Sequence, residues 1–188
     1  MNGAPIEILS GTARSSIILL HGLGASGDDL APVAHALQLR DVRFILPQAP
    51  IRPVTVNNGY RMPAWYDIRQ TDICSAPDEA GLQESRATVA DLIEQERTRG
   101  IAPERIVLAG FSQGGAVALY SGLTLGIPLA GIVGLSTYLP MPAESVQTVP
   151  VWIAHGRDDE VIPLYAHQRS FSGFPADRLT RHLYRMGH

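Results

Sequence analysis

The stretch IVLAGFSQGGAVALYSGL, residues 106–123, decides the fold. Its first four residues are apolar and rich in branched side chains, the pattern of a buried strand. From Ala116 onward AVALYSGL reads as a helix. Between them stands Gly110-Phe111-Ser112-Gln113-Gly114-Gly115, a Gly-x-Ser-x-Gly on a strand-to-helix turn. Such a turn lifts its serine above the sheet edge in a strained backbone conformation and needs small neighbours where strand and helix crowd together. The helix N-terminus then aims backbone N–H groups at the serine. Ser112 is thereby the candidate nucleophile. The bare motif is weak in a chain with 18 glycines, and its setting between strand and helix is what strengthens it.

Working outward, short β-branched runs alternate with helix-period segments. Strands are predicted at Ile6–Leu9, Ser16–Leu20, Val42–Leu46, Ile106–Ala109, Gly131–Leu135, Val151–His155 and His182–Arg185. Leu30, Val33, Ala34 and Leu37 recur at helical spacing, as do Val89, Leu92, Ile93 and Glu96, the last reading as a polar residue at the helix end. Asp78 is a candidate N-cap for the second helix and Gly100 its stop. Strand–helix–strand alternation implies an α/β class: one mostly parallel sheet covered by helices on both faces, in a single domain spanning residues 1–188. Ligands bind such sheets beyond the carboxyl ends of the strands. The proline-rich segment Leu46–Asp72 has no sustained period and is expected to be an ordered functional loop. Its Trp65 reads equally as a packing anchor or a pocket wall. Phe111, beside the nucleophile, is a second candidate for lining a pocket.

An activated serine needs a base, and the base an orienting carboxylate, in the chain order Ser, acid, His. The strand Val151–Ala154 runs into His155-Gly156-Arg157-Asp158-Asp159-Glu160, so three acids stand where one is needed and composition does not choose among them. Of the later histidines, His167 follows the acids too soon and His182 lies inside a strand pattern. His188, just past the last strand, is the best-placed base. His155 and His35 read as structural or surface residues. The early strand ends in His21-Gly22-Leu23-Gly24, a glycine-rich loop in the position that supplies an oxyanion donor. The donors would be the backbone N–H groups of Leu23 and Gln113, with His21 shaping the loop.

Composition removes other chemistries. Acidic residues outnumber basic ones 18 to 15, for a net charge of −3, which argues against a nucleic-acid binder. All 15 basic residues are arginine, so Schiff-base and P-loop lysines are absent. A single cysteine, Cys74, makes neither an internal disulfide nor a metal site alone. The histidines are scattered, Asp28-Asp29 reads as a helix start, and no metal or dinucleotide motif stands out. No leader-like segment or bilayer-length apolar run is visible, so stable membrane insertion is not expected and a cytoplasmic location is.

These residues resemble the α/β-hydrolase superfamily, and more narrowly the phospholipase/carboxylesterase family of acyl-protein thioesterases and small bacterial carboxylesterases. The matching stretches are HGLGASGDD (21–29), LPQAPIRPVTVNNGYRMPAWYDI (46–68), GFSQGGAVAL (110–119), LST (135–137), HGRDDEVIP (155–163) and YRMGH (184–188). The 57–68 stretch is similar to the bacterial branch. The resemblance implies Asp159 as the acid, His188 as the base, Ser112 as the nucleophile, and Leu23 and Gln113 as oxyanion donors. It implies no cofactor and a small-molecule acyl ester as substrate, and it allows a homodimer. Ester and thioester cleavage use the same triad, so thioesterase and lysophospholipase activities stay open beside the carboxylesterase. Two departures are visible. Arg185 stands where the family has proline, and the family continues beyond His188 into a helix that packs on the sheet. A base at the last position is expected to be loosely held, with apolar sheet surface exposed near it. A weakly active or inactive acyl-binding fragment is therefore the alternative of another class.

Overall fold

A computed structural model of the chain describes residues 3–73, 75–143 and 149–188; Cys74 lies outside them. Nine strands and four α-helices follow one another among these residues. The main sheet is built from β1 (Ile6–Leu9), β2 (Ser15–Leu20), β3 (Val42–Leu46), β6 (Ile106–Phe111), β7 (Gly131–Leu135), β8 (Val151–Gly156) and β9 (Leu179–Tyr184). Their spatial order is β1-β3-β2-β6-β7-β8-β9. Only β1 runs antiparallel, against β3; the other pairings are parallel. Each parallel step needs a crossover, and helices supply most of them.

The strands have two buried faces, and each carries its own core. Helix α1 (Gly27–Ala36) packs Ala34 against Leu19, Phe44, Leu46 and Ala109. On the other face, α2 (Glu79–Thr98), α3 (Gln113–Thr124) and α4 (Leu164–Ser170) cover Ile18, Leu20, Leu108, Ile132 and Ile153. Helix α3 is buried along almost its whole length, which is why its residues 116–123 show no amphipathic period. On the α1 side, β8 and β9 carry Trp152, His182 and Tyr184 in a row of neighbouring rings, with Tyr184 exposed. No helix among the described residues is long and apolar enough to cross a membrane.

Three details depart from the sequence reading. The segment expected to be a loop contains an antiparallel hairpin, β4 (Ile51–Val54) with β5 (Tyr60–Pro63), closed by a short 3-10 turn at Thr55–Asn57. Its prolines, Pro53 and Pro63, sit in a two-stranded ribbon, where missing ladder donors are tolerated. Strand β9 begins at Leu179, earlier than the expected His182. Asp78 does stand at the N-cap position of α2, yet its side chain makes no cap. It accepts the Asp67 backbone N–H at 2.9 Å and pairs with Arg69 at 2.8 Å, pinning the preceding loop. For α1, Asp29 accepts the Ser26 backbone N–H at 2.7 Å, as an N-terminal carboxylate should.

Glu96 is the largest surprise for a sequence reader. It is completely buried beneath the sheet edge. Arg43 meets its carboxylate at 2.7 Å, Arg99 at 3.0 Å, and the Ser16 hydroxyl donates to it. Removing one member of a buried charged group strands the others, at a cost of about 3 kcal/mol or more. Glu96→Leu should therefore lower the unfolding free energy by about 3 kcal/mol in urea denaturation. Activity per folded molecule should be unchanged, because Ser16 and Glu96 lie at the opposite end of the strands from Ser112. A stability loss below about 1 kcal/mol would show that the cluster is idle.

Candidate active site

The site begins at the β6–α3 turn. Ser112 has φ 54° and ψ −120°, a left-handed conformation that non-glycine residues rarely adopt. Its N–H donates to Leu135 O at 2.9 Å, and its carbonyl starts α3 by accepting from Ala116 at 3.1 Å. The flanking glycines have a steric cause. A Cβ on Gly110 would lie 2.3 Å from Gly114, and one on Gly114 would lie 2.3 Å from the Leu20 carbonyl oxygen. Only glycine lets strand β6, helix α3 and the end of β2 approach so closely.

The acid comes from the turn after β8. Asp159 is the acid the structure turns inward: its Oδ1 accepts the Val161 N–H at 2.9 Å and the Ile162 N–H at 2.8 Å. Its neighbours Asp158 and Glu160 are exposed. Asp159 Oδ2 accepts from His188 Nδ1 at 2.8 Å, and His188 Nε2 lies 2.9 Å from Ser112 Oγ. Three residues from three strand ends thus form one unbroken hydrogen-bonded line.

The expected looseness of His188 is not what the structure shows. The segment leading to it is clamped to the acid's turn: Arg157 N–H donates to Tyr184 O at 2.8 Å, and Asp158 N–H to Met186 O at 3.1 Å. Gly156 makes room for this clamp, since a Cβ there would meet the Gly187 oxygen at 2.3 Å. The ring of Phe111 supports the imidazole at 4.9 Å between centroids. Phe111 is thus partly occupied as a shelf for His188.

Gln113 follows the serine directly, and the turn that carries Leu23 comes close to it: a Cβ on Gly22 would lie 3.4 Å from Ser112 Cβ. Gln113 is the first residue of α3, so its N–H has no intrahelical acceptor. Its side chain does a separate job: Oε1 accepts the Trp65 N–H at 2.9 Å and Nε2 donates to Tyr66 O at 2.7 Å. Leu23 lies in the turn after β2, which Gly24 ties to the hairpin by donating to Pro63 O at 2.8 Å. His21 shapes this turn: Nδ1–H donates to Gly22 O at 2.8 Å, and Nε2 accepts the Ala49 N–H at 3.1 Å. Both bonds require the neutral ring, and burial pushes its pKa below the usual value.

Trp65 corrects one expectation. It is 0% exposed, and its indole N–H donates to His21 O at 2.8 Å. The side chain presents no surface to a ligand and is the anchor that joins the hairpin, the turn after β2 and helix α3. No residue type in the sequence distinguishes that role from pocket lining; only the partners do. Among the described residues, no group of His, Cys, Asp and Glu is arranged to hold a metal ion.

The sheet order and the serine turn define the α/β-hydrolase class. The chain belongs to the phospholipase/carboxylesterase family, whose model matches residues 1–183, and it is a serine hydrolase of that family. Among its relatives is acyl-protein thioesterase 1 of Cryptococcus neoformans, 42% identical over 83% of this chain and 71% of that protein. Acyl-protein thioesterase 1 of Emericella nidulans is 40% identical over 83% of this chain and 74% of that one. Among solved structures, Zea mays acyl-protein thioesterase 2 superposes with TM-score 0.87 at 29% identity, covering 99% of this chain and 91% of that one. Arabidopsis thaliana SOBER1 gives 0.84 at 31% identity, with 94% and 91% covered.

The site holds several histidines that are neutral by burial. Burial lowers the pKa of His21 and His155 below 6.5 and that of His167 to about 4. The unfolded chain therefore takes up protons first, and stability rises with pH through this window. It is present in full above about pH 6.5 and is lost as pH falls toward about 4. The melting temperature should be clearly lower at about pH 5 than at about pH 7.5, where carboxylates are ionised in both cases. Equal melting temperatures would contradict the neutral assignment.

Proposed function

We propose that this protein is a serine carboxylesterase that cleaves short-to-medium acyl esters through an acyl-enzyme. The observation that carries this reading is the line Ser112 Oγ to His188 Nε2 at 2.9 Å and His188 Nδ1 to Asp159 Oδ2 at 2.8 Å. In this reading Ser112 Oγ attacks the ester carbonyl carbon as its proton passes to His188 Nε2. Asp159 holds the ring in the Nδ1–H tautomer and stabilises the imidazolium that forms. The N–H groups of Leu23 and Gln113 receive the developing oxyanion. Collapse expels the alcohol, which takes the proton back from His188. Water, deprotonated by the same nitrogen, then attacks the acyl-serine, and the second collapse frees the acid and Ser112. No cofactor takes part. The same distances weigh against an inactive acyl-binding fragment, whose base would lie out of reach of the serine.

A second reading has an observation of its own. The relatives at 40–42% identity are named acyl-protein thioesterases. A thioester would pass through the same steps with a thiol leaving, so the acyl-binding walls, not the triad, separate the two. Those walls include the loop 136–143 after β7, where Tyr138 meets Tyr66 hydroxyl to hydroxyl at 2.7 Å.

The test is hydrolysis of p-nitrophenyl acetate, butyrate, octanoate and palmitate beside an S-palmitoylated peptide. The expected outcome is fastest turnover on the shorter esters, with Ser112→Ala at least about a thousandfold slower and still folded. Faster release from the palmitoyl peptide than from butyrate would favour the thioesterase. Full activity in Ser112→Ala would overturn both.

A further inference from the structure

Behind the triad, on the side away from solvent, lie two histidines that the proposed reaction does not use. His155 lies at the penultimate position of β8 and His167 sits on α4; both are fully buried. Their rings stack at 4.1 Å between centroids and 23° between planes. His155 Nε2 faces the Ile162 carbonyl at 2.8 Å, so this nitrogen carries the proton and donates it. His167 Nδ1 likewise donates to the Thr137 carbonyl at 2.9 Å. The two remaining ring nitrogens, His155 Nδ1 and His167 Nε2, have no hydrogen-bond partner among the described residues. Neutral rings tolerate that arrangement, because each orphan is a bare lone pair with no N–H to satisfy. A protonated ring would bury an N–H with nothing to receive it.

The bonds on either side of the stack lead to both ends of the triad. Ile162 donates its N–H to Asp159 Oδ1 at 2.8 Å while accepting from His155, and Asp159 Oδ2 lies 3.6 Å from His155 Nε2. On the other side, the Thr137 hydroxyl donates to the Ser112 carbonyl at 2.7 Å. A continuous chain therefore runs Ser112, Thr137, His167, His155, Ile162, Asp159. It bridges the nucleophile's turn to the acid's turn without passing through His188. Burial keeps both rings neutral against Asp159, which pulls the other way, while His188 and Arg181 add to the lowering at His155 and His167 respectively.

We infer that His155, stacked on His167, is a positioning residue for Asp159: its Nε2–H grips Ile162 and so fixes the turn that aims the carboxylate at His188. The inference rests on the triad reading above. Loss of the grip lets the turn relax and lengthens the Asp159–His188 bond, and a misplacement of about an ångström can cost about a hundredfold in rate. Both rings are fully buried and present no surface to a ligand, so KM should move little.

The experiment compares His155→Phe, which keeps the stack and deletes the donor, with His155→Gln, whose side-chain amide can reach Ile162 O. Hydrolysis of p-nitrophenyl butyrate is measured with the far-downfield proton signal of the His188–Asp159 hydrogen bond, on protein shown folded by its melting curve. His155→Phe should lose about ten- to a hundredfold in kcat with KM within about twofold, and its downfield signal should shift or vanish. His155→Gln should recover most of both. If Phe does not fold at this site, His155→Leu provides the same deletion in less volume; if neither folds at the assay temperature, both are assayed below their melting points. Wild-type kcat and an unmoved signal in the donor-less variant would overturn the inference, as would a folded His155→Gln no better than Phe. Turnover by the parent chain that does not depend on Ser112 would instead overturn the triad reading.

Discussion

Every functional contact in this molecule depends on one crowded crossing, where β6 turns into α3 over the end of β2. Gly110 and Gly114 come so close that no Cβ fits between the strand, the helix and the Leu20 carbonyl. That closeness forces Ser112 into φ 54° and raises its hydroxyl above the sheet. The strain persists because the surroundings over-determine it. Ser112 donates to Leu135 from its backbone, receives Thr137 on its carbonyl, and starts a helix that is buried almost throughout.

The other site residues reach Ser112 because parallel strands all end on the same side. Loops after β2, β6, β8 and β9 converge there, so residues far apart in sequence meet without long excursions. The turns that carry Asp159 and His188 then clamp each other through Arg157 and Asp158, with Gly156 allowing the close approach. Trp65 performs the matching task at the end of β2, its indole on His21 and its amide on Gln113. His188 is thus held by backbone hydrogen bonds and an aromatic shelf, and the turn after β2 by a buried indole.

Much of this was legible in the residues. The seven sheet strands fall close to their apolar runs, and the Gly-x-Ser-x-Gly between a strand and a helix marks Ser112 because sterics allow few other sequences there. Position along the chain suffices to prefer His188 over His182, whose ring lies on the sheet beside Trp152. What escaped is what depends on partners distant in sequence. Nothing local distinguishes Asp159 from Asp158 and Glu160; its inward turn is set by the Val161 and Ile162 amides. Glu96 reads as the polar end of a helix until Arg43, on β3, is brought to it. The prolines at 53 and 63 argue against strands in general, and the hairpin escapes that rule by being a separate two-stranded ribbon. His155 reads as structural and His167 as merely too close to the acids, and only their stacking joins the two into one unit.

The central claim is that Ser112 is nucleophilic because His188, aligned by Asp159, removes its proton. Labelling with a fluorophosphonate, followed by intact mass and peptide mapping, tests it most directly, since the reagent reports the activated serine independently of any substrate preference. One adduct is expected, on Ser112, forming orders of magnitude more slowly in His188→Ala and Asp159→Asn. An adduct on another residue, or labelling of Ser112 that is as fast without His188 as with it, would contradict it.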